Sequence, residues 1–188
     1  NFHSDIQVNP NRSITVTETI SVQAEGYNIQ RGILRDIPTT AKDDRGRIVR
    51  YNLEVLEVLK DGEPENYTVS ASNIGKNIRI GNADILLSPG VYTYTIKYNM
   101  TNQVRFFEKY DELYWNVTGN GWNFTIQQAS ATVHLPQQAE ISQHKGYSGS
   151  YGDSGCDCSF ELQASNIITY KTNRPLYPYQ GLTIAVGW

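Results

Sequence analysis

Period-two alternation of β-branched and aromatic residues with polar ones runs through most of this chain. It confines the fold to sheets that turn one apolar face to a core and one polar face outward. From Ser13 to Gln23 the even positions carry Ile14, Val16, Ile20 and Val22, while Thr15, Thr17, Thr19 and Ser21 take the other face. Val91 to Asn99 repeats the pattern with Tyr92, Tyr94, Ile96 and Tyr98, behind the turn signal Ser88-Pro89-Gly90. Ala129, Ala131, Val133 and Leu135 alternate until Pro136, and Leu182, Ile184, Val186 and Trp188 alternate to the last residue. Tyr51, Leu53 and Val55 alternate, then Leu56 and Val58 continue in shifted phase, which predicts a β-bulge before the Asp61-Gly62 turn. Shorter β-like runs lie near 67–70, 77–81, 113–117, 122–126, 160–164 and 167–172. The total is roughly ten to twelve strands, with no 3.6-residue period long enough for a substantial helix.

The economical architecture is an all-β, antiparallel β-sandwich with long loops, 1–188 forming a single domain. A pair of smaller β domains divided near residue 100 is the alternative. Charged residues make up 19% of the 188, too few for a disordered chain, and a formal net charge of -3 argues against a nucleic-acid binder. No apolar run approaches the ~20 residues of a membrane span, so any membrane attachment is expected outside this sequence. The sole methionine is Met100, which points to a piece of a longer protein. Two segments, 24–48 and 137–158, lack the strand pattern and read as long loops. The first includes a locally basic 31–50 stretch suited to anionic lipid or polymer. The second holds Gly146, Gly149, Gly152 and Gly155 and reads as a flexible flap, with Cys156 and Cys158 accessible if reduced.

Motifs for chemistry are sparse. Gly152-Asp153-Ser154-Gly155 matches part of a chymotrypsin-like nucleophile surround, but none of His3, His134 and His144 stands in the context such a serine requires. No metal-ligand spacing is present, and no cofactor is expected. Cys156 and Cys158 form either a local disulfide, which requires a turn at Asp157, or two free thiols. Asp111 and Glu112 stand near Trp115 and Trp122, a pairing of acids and indoles found at carbohydrate sites. Neighbours on an extended chain diverge, however, so the two cannot flank one glycosidic bond. The plainer reading is a structural corner in which the two Trp fill core. Five Asn-x-Ser/Thr sequons, from Asn11 to Asn123, read mostly as chance.

Two segments carry a resemblance. The first is Val16-Thr17-Glu18 followed by Arg31-Gly32-Ile33-Leu34-Arg35-Asp36-Ile37-Pro38. The second is Tyr110-Asp111-Glu112-Leu113-Tyr114-Trp115-Asn116-Val117-Thr118-Gly119-Asn120-Gly121-Trp122, with Gly146-Tyr147-Ser148-Gly149 and the closing Gly181 to Trp188 after it. In these the chain resembles the YciQ-like predicted membrane proteins, a bacterial family of unknown function. Cys156-Asp157-Cys158 departs from that pattern. The resemblance implies a signal peptide before residue 1, a domain on the extracytoplasmic face of the cell membrane and transmembrane helices after residue 188. It implies no activity.

The expectation is therefore a non-catalytic module that binds an envelope component or a protein partner. The competing expectation is an envelope hydrolase acting on glycan or peptide through an acid near Asp111. No complete set of nucleophile, base and orienter favours the second. The candidate binding or structural residues are Arg35, Asp36, Asp111, Glu112, Trp115, Asn116 and Trp122, expected in one polar corner because buried charge must be paired.

Overall fold

A computed structural model describes residues 1–42 and 46–188. Asp43, Asp44 and Arg45 of the basic stretch lie outside the described residues, as does the side chain of Lys42. The strands are β1 (Phe2–Val8), β2 (Ile14–Ala24), β3 (Ile33–Pro38), β4 (Thr40–Lys42), β5 (Ile48–Arg50), β6 (Leu53–Lys60), β7 (Glu63–Pro64), β8 (Tyr67–Ala71) and β9 (Gly75–Ile80). They continue as β10 (Gly90–Met100), β11 (Val104–Phe106), β12 (Asp111–Asn116), β13 (Ala129–His134), β14 (Gln143–Gly149), β15 (Cys158–Ala164), β16 (Ile167–Thr172) and β17 (Gly181–Gly187). No helix occurs among the described residues.

The fold is all-β, built from several sheets. An eight-stranded sheet has the order β15-β16-β13-β1-β2-β10-β6-β7, a four-stranded sheet β11-β12-β17-β14 and a three-stranded sheet β3-β9-β8. Pairing is antiparallel except between β1 and β13, which run parallel. Inward side chains of the three sheets share one hydrophobic core that includes Ile6, Val16, Ile37, Ile78, Tyr98, Val133 and Ile184. Each of these follows its strand's alternation, so burial of one face per strand both selects the register and holds the layers together.

Several expectations change. Among the described residues the strands number seventeen rather than ten to twelve, and four of them are only two or three residues long. The segment 24–48 is not one loop: β3 runs through it with Ile33, Arg35 and Ile37 buried and Leu34 exposed. A charged residue at the central inward position masked the alternation. Residues 122–126 form no strand and contribute a single bridge, Ile126 to Leu176. The flap reading fails over 143–149, where β14 pairs with β17 along seven residues. The predicted bulge is present: Lys97 pairs with Glu57 and Tyr98 with Val55, which leaves Leu56 as the extra residue.

The glycines of β14 have a packing cause. Cys156 and Cys158 form a disulfide, and a Cβ on Gly146 would stand 2.7 Å from the Cys158 Sγ and 3.0 Å from the Cys156 Sγ. The disulfide covers the strand at Gly146, where no side chain stands in its way. Asp157 between the two cysteines donates its N–H to the Ser148 Oγ at 2.8 Å and pairs with Arg174. A bridge closing so short a loop removes little unfolded-state entropy, worth about 1.5 kcal/mol. Replacing both cysteines by serine is expected to lower the urea-unfolding free energy by about that amount and to leave the far-ultraviolet spectrum unchanged.

Candidate functional site

Along β2 the inward-facing series Ile14, Val16, Ile20 and Val22 is interrupted by Glu18, which is 0% exposed. A carboxylate in that position must be met by charge and hydrogen bonds or it costs several kcal/mol. Arg35 on β3, 3% exposed, meets it with a two-pronged pair: Nη2 donates to Oε1 at 2.7 Å and Nε to Oε2 at 2.8 Å. Tyr98 on β10 donates its hydroxyl to Oε1 at 2.7 Å. The remaining guanidinium N–H groups donate to the backbone carbonyls of Asp36 at 3.2 Å, Val117 at 3.0 Å and Thr118 at 2.8 Å. All five donors of Arg35 are thereby engaged. The Phe2 ring lies 5.4 Å below its Cζ.

The Asn-x-Thr-Gly-Asn-Gly-Trp segment builds the receiving end. The Asn116 Oδ1 accepts the Gly119 N–H at 3.0 Å, and its Nδ2 donates to the Asn120 Oδ1 at 3.1 Å. The Thr118 Oγ1 accepts the Leu182 N–H, and the Trp122 indole donates to the Thr118 carbonyl at 2.8 Å. The turn is thus fixed so that two carbonyls aim at Arg35. One cluster ties β2 and β10 of the eight-stranded sheet to β3 and to the turn after β12.

Burial opposes the Arg35 charge, but the charge and hydrogen bonds of Glu18 outweigh it and raise the guanidinium pKa. Tyr98 is pushed well above the ordinary phenol range by burial and then by the Glu18 charge. Burial also raises Tyr170, and burial followed by the charges of Glu65 and Asp61 pushes Tyr94 up to about 12. An unfolded Tyr ionises near 10 while these stay neutral in the native state, so their stabilisation is complete below that pH and is lost as pH rises past it. Three such groups give a slope of up to about 4 kcal/mol per pH unit. Thermal melts between pH 8 and 12 are expected to show a steep fall in Tm beginning near pH 10.

The sequence-predicted residues divide. Arg35, Asn116 and Trp122 come together in this cluster, and Asp36 stands at its margin, accepting the Asn77 Nδ2 at 2.9 Å. Trp115 is core. Asp111 and Glu112 lie at the far end of the six-residue β12, about 20 Å along the strand from Val117. There Asp111 exchanges both backbone hydrogen bonds with Trp188. The carboxylate that does pair with Arg35 is Glu18, and its signal was the lone acid on an otherwise apolar inward face.

No nucleophile is assembled at Ser154. His3 is bonded to the Ser130 Oγ at 2.8 Å and His134 to Asp5 at 2.9 Å, while His144 packs on Phe160 with 4.1 Å between ring centres. Among the described residues no group of three or more His, Cys, Asp or Glu has a metal-holding arrangement. Two adjoining open cavities share the wall made by Asn28, Ile29, Trp122 and Phe124. The first, about 400 Å³, is mainly apolar, with Phe2, Ile20 and Val22; the second, about 600 Å³, is lined by Gln30, Arg31, Asp36 and Arg79. Glu25 is the acid of the first and Asp36 that of the second, so neither presents a carboxylate pair.

A family described as the N-terminal domain of a predicted membrane protein, DUF2207, matches residues 1–188. The chain belongs to the DUF2207 family. The Escherichia coli (strain K12) protein called "Uncharacterized protein YciQ" is 28% identical over 155 residues, which cover 81% of this chain. The chain spans 25% of that relative's length. Among solved structures, leukotriene A4 hydrolase from Saccharomyces cerevisiae is similar over 100% of this chain and 28% of its own, with a TM-score of 0.58 and 15% identity. An M1 zinc metallopeptidase from Deinococcus radiodurans is similar over 97% of this chain and 40% of its own, with a TM-score of 0.52 and 11% identity. At such identities the DUF2207 chain shares a β fold with parts of those proteins. No helix among its described residues is long and apolar enough to cross a membrane.

Proposed function

We propose that this domain is a non-catalytic interaction module on the extracytoplasmic face of the bacterial cell membrane, where it recognises an envelope component or a protein partner. The observation that supports this reading is the complete internal engagement of its most distinctive polar residues. Arg35 and Glu18 bond to each other and to the carbonyls of Val117 and Thr118 in the core, so their charges are spent inside the fold. The exposed surface offers instead a wall of Trp122 and Phe124 between an apolar and a polar cavity, a form suited to recognition. The attached membrane segments and the signal peptide belong to this proposal as well.

The second reading, a hydrolase of envelope glycan or peptide, draws on the hydrolases among its structural relatives. On glycan it would need an acid pair, and Asp111 and Glu112 are successive residues of an extended strand, which direct their side chains to opposite faces. Incubation of the chain with peptidoglycan fragments, read by mass spectrometry, separates the two. Intact fragments are expected. Cleavage abolished by Asp111→Asn or Glu112→Gln would replace the module by an enzyme.

A further inference from the structure

We infer that the outer face of the four-stranded sheet carries a binding site for a neutral glycan, in a cleft between β12, β17 and the loop that follows β14. This names the class of envelope component within the interaction-module reading, and rests on that reading only for the absence of turnover. Along β17 the buried Leu182, Ile184 and Val186 belong to the core, which leaves Gly181, Thr183, Ala185 and Gly187 on the outer face. No side chain on that floor is larger than threonine. Thr183 pairs with Asn116 on one side and Tyr147 on the other, and Ala185 pairs with Tyr114. The Tyr114 and Tyr147 rings approach each other across β17, with 6.1 Å between centres. Beside them lies a cleft of about 460 Å³, which the 150–154 loop also lines, with Tyr151 94% exposed. The loop is held in shape. Ser148 donates its N–H to the Gly155 carbonyl at 2.9 Å, and Asp153 donates its own to the Ser150 carbonyl at 3.1 Å. The Asp153 Oδ2 accepts the Ser150 N–H at 2.8 Å and lies against the bare face of Gly149, where a Cβ would collide with it. The disulfide and the Asp157 bond to Ser148 fix the return to β15, so little ordering is left to be done on binding.

The lining selects the occupant. Among the described residues around the cleft there is no aliphatic side chain, so it lacks the apolar centre of a protein interface. β17 is paired on both sides, by β12 and β14, so its backbone groups are spent and no peptide strand can add to it. Asp153 is the one charged lining residue, and the cleft holds no cation for a phosphate or a carboxylate. Around the rim Arg105 and Lys145 lie over the Tyr114 and Tyr147 rings, Glu112 stands opposite Arg105, and Arg174 is joined to Asp157. With Asp153 counted, acids and cations balance, which suits a ligand without charge. What the cleft offers is hydroxyls: those of Tyr114, Tyr147, Tyr151, Ser150, Ser154 and Thr183 bond to no other described group of the protein. A hydroxyl both donates and accepts, so it matches a ligand whose own polar groups are hydroxyls, and tyrosine rings offer flat apolar surfaces to the C–H faces of a sugar ring. One carboxylate, already engaged by the loop, supplies no acid pair for cleavage.

The test titrates the isotopically labelled 188-residue chain with N-acetylchitotriose, cellotriose, maltotriose and mannotriose, beside trigalacturonic acid and trialanine, and follows the amide shifts by NMR. At least one neutral trisaccharide is expected to bind with a Kd of about 1 mM or tighter, its shifts concentrated at 147–154 and 181–183. The acetylated sugar and the three plain ones distinguish an amino-sugar polymer from a hexose polymer as the source. Tyr151→Ala and Thr183→Val, both on the surface of the sheet or its loop, should each weaken binding about fivefold. Tyr27→Ala, 82% exposed in the β2–β3 connection, should leave it unchanged. The inference is overturned if none of the four neutral sugars binds, if trigalacturonic acid or trialanine binds more tightly, or if the shifts centre on Trp122 and Phe124. Unchanged binding by the Tyr151→Ala variant would overturn it as well. None of these results bears on whether peptidoglycan fragments are cleaved, so this inference and the interaction-module reading fail separately.

Discussion

Arg35→Met is expected to destabilise the domain by about 3–5 kcal/mol in urea denaturation, the range for breaking a buried ion pair from one side. The methionine fills much of the space, so packing loss is a small part of the effect. What remains is the Glu18 carboxylate in the core with only the Tyr98 hydroxyl to meet it. The carbonyls of Val117 and Thr118 lose their guanidinium donors in the same step, although the Trp122 indole still serves Thr118. Tyr98→Phe removes one hydrogen bond to a charged group and should cost less, about 1.5–3 kcal/mol. A ranking with Tyr98→Phe above Arg35→Met would contradict the assignment of Arg35 as the central donor.

Gly32→Ala should be comparably severe. Gly32 has a φ of 131°, a backbone conformation that side chains rarely adopt, and a Cβ there would run into the Ile80 carbonyl oxygen where β3 meets β9. Backbone strain and overpacking, at about 1–3 kcal/mol each, add to a loss of about 4 kcal/mol. The register of β3 on β9 fixes Arg35 opposite Ile78, so separating the two backbones at Gly32 also displaces Arg35 from Glu18. Soluble Gly32→Ala protein with unchanged Tm would show that the close approach at Ile80 is not required. Gly32 and Arg35 thus stand in one sequence motif for one reason: the first lets the strand lie close, and the second fastens it.

What was legible in the sequence follows from which signals are local. Alternation along β2, β10, β13 and β17 placed those strands, and the phase slip at Leu56 placed the bulge, because side-chain direction is a property of the strand itself. β3 was hidden because its central inward residue is Arg35, and its partner β9 lies more than thirty residues away. The flexible reading of Gly146 failed for a related reason. Its missing side chain answers to the Cys156–Cys158 bridge, and two glycines in a row of Ser and Tyr look the same in sequence whether they permit motion or close packing. The polar corner was expected around Arg35 and Trp122, and both are there. Asp111 and Glu112 were grouped with them through proximity along the chain, whereas an extended strand carries them away.

The central claim is that the distinctive polar residues of this domain hold its sheets together. The measurement that meets it most directly is a double-mutant cycle in urea denaturation on Glu18→Leu, Arg35→Met and the two combined. Each single change leaves a buried polar partner without its counterpart, whereas the double change replaces the pair by apolar volume, which is often neutral for a buried pair. The account predicts a double variant more stable than either single one, with a coupling of about 3 kcal/mol. Additive losses, with the double variant the least stable of the three, would contradict it.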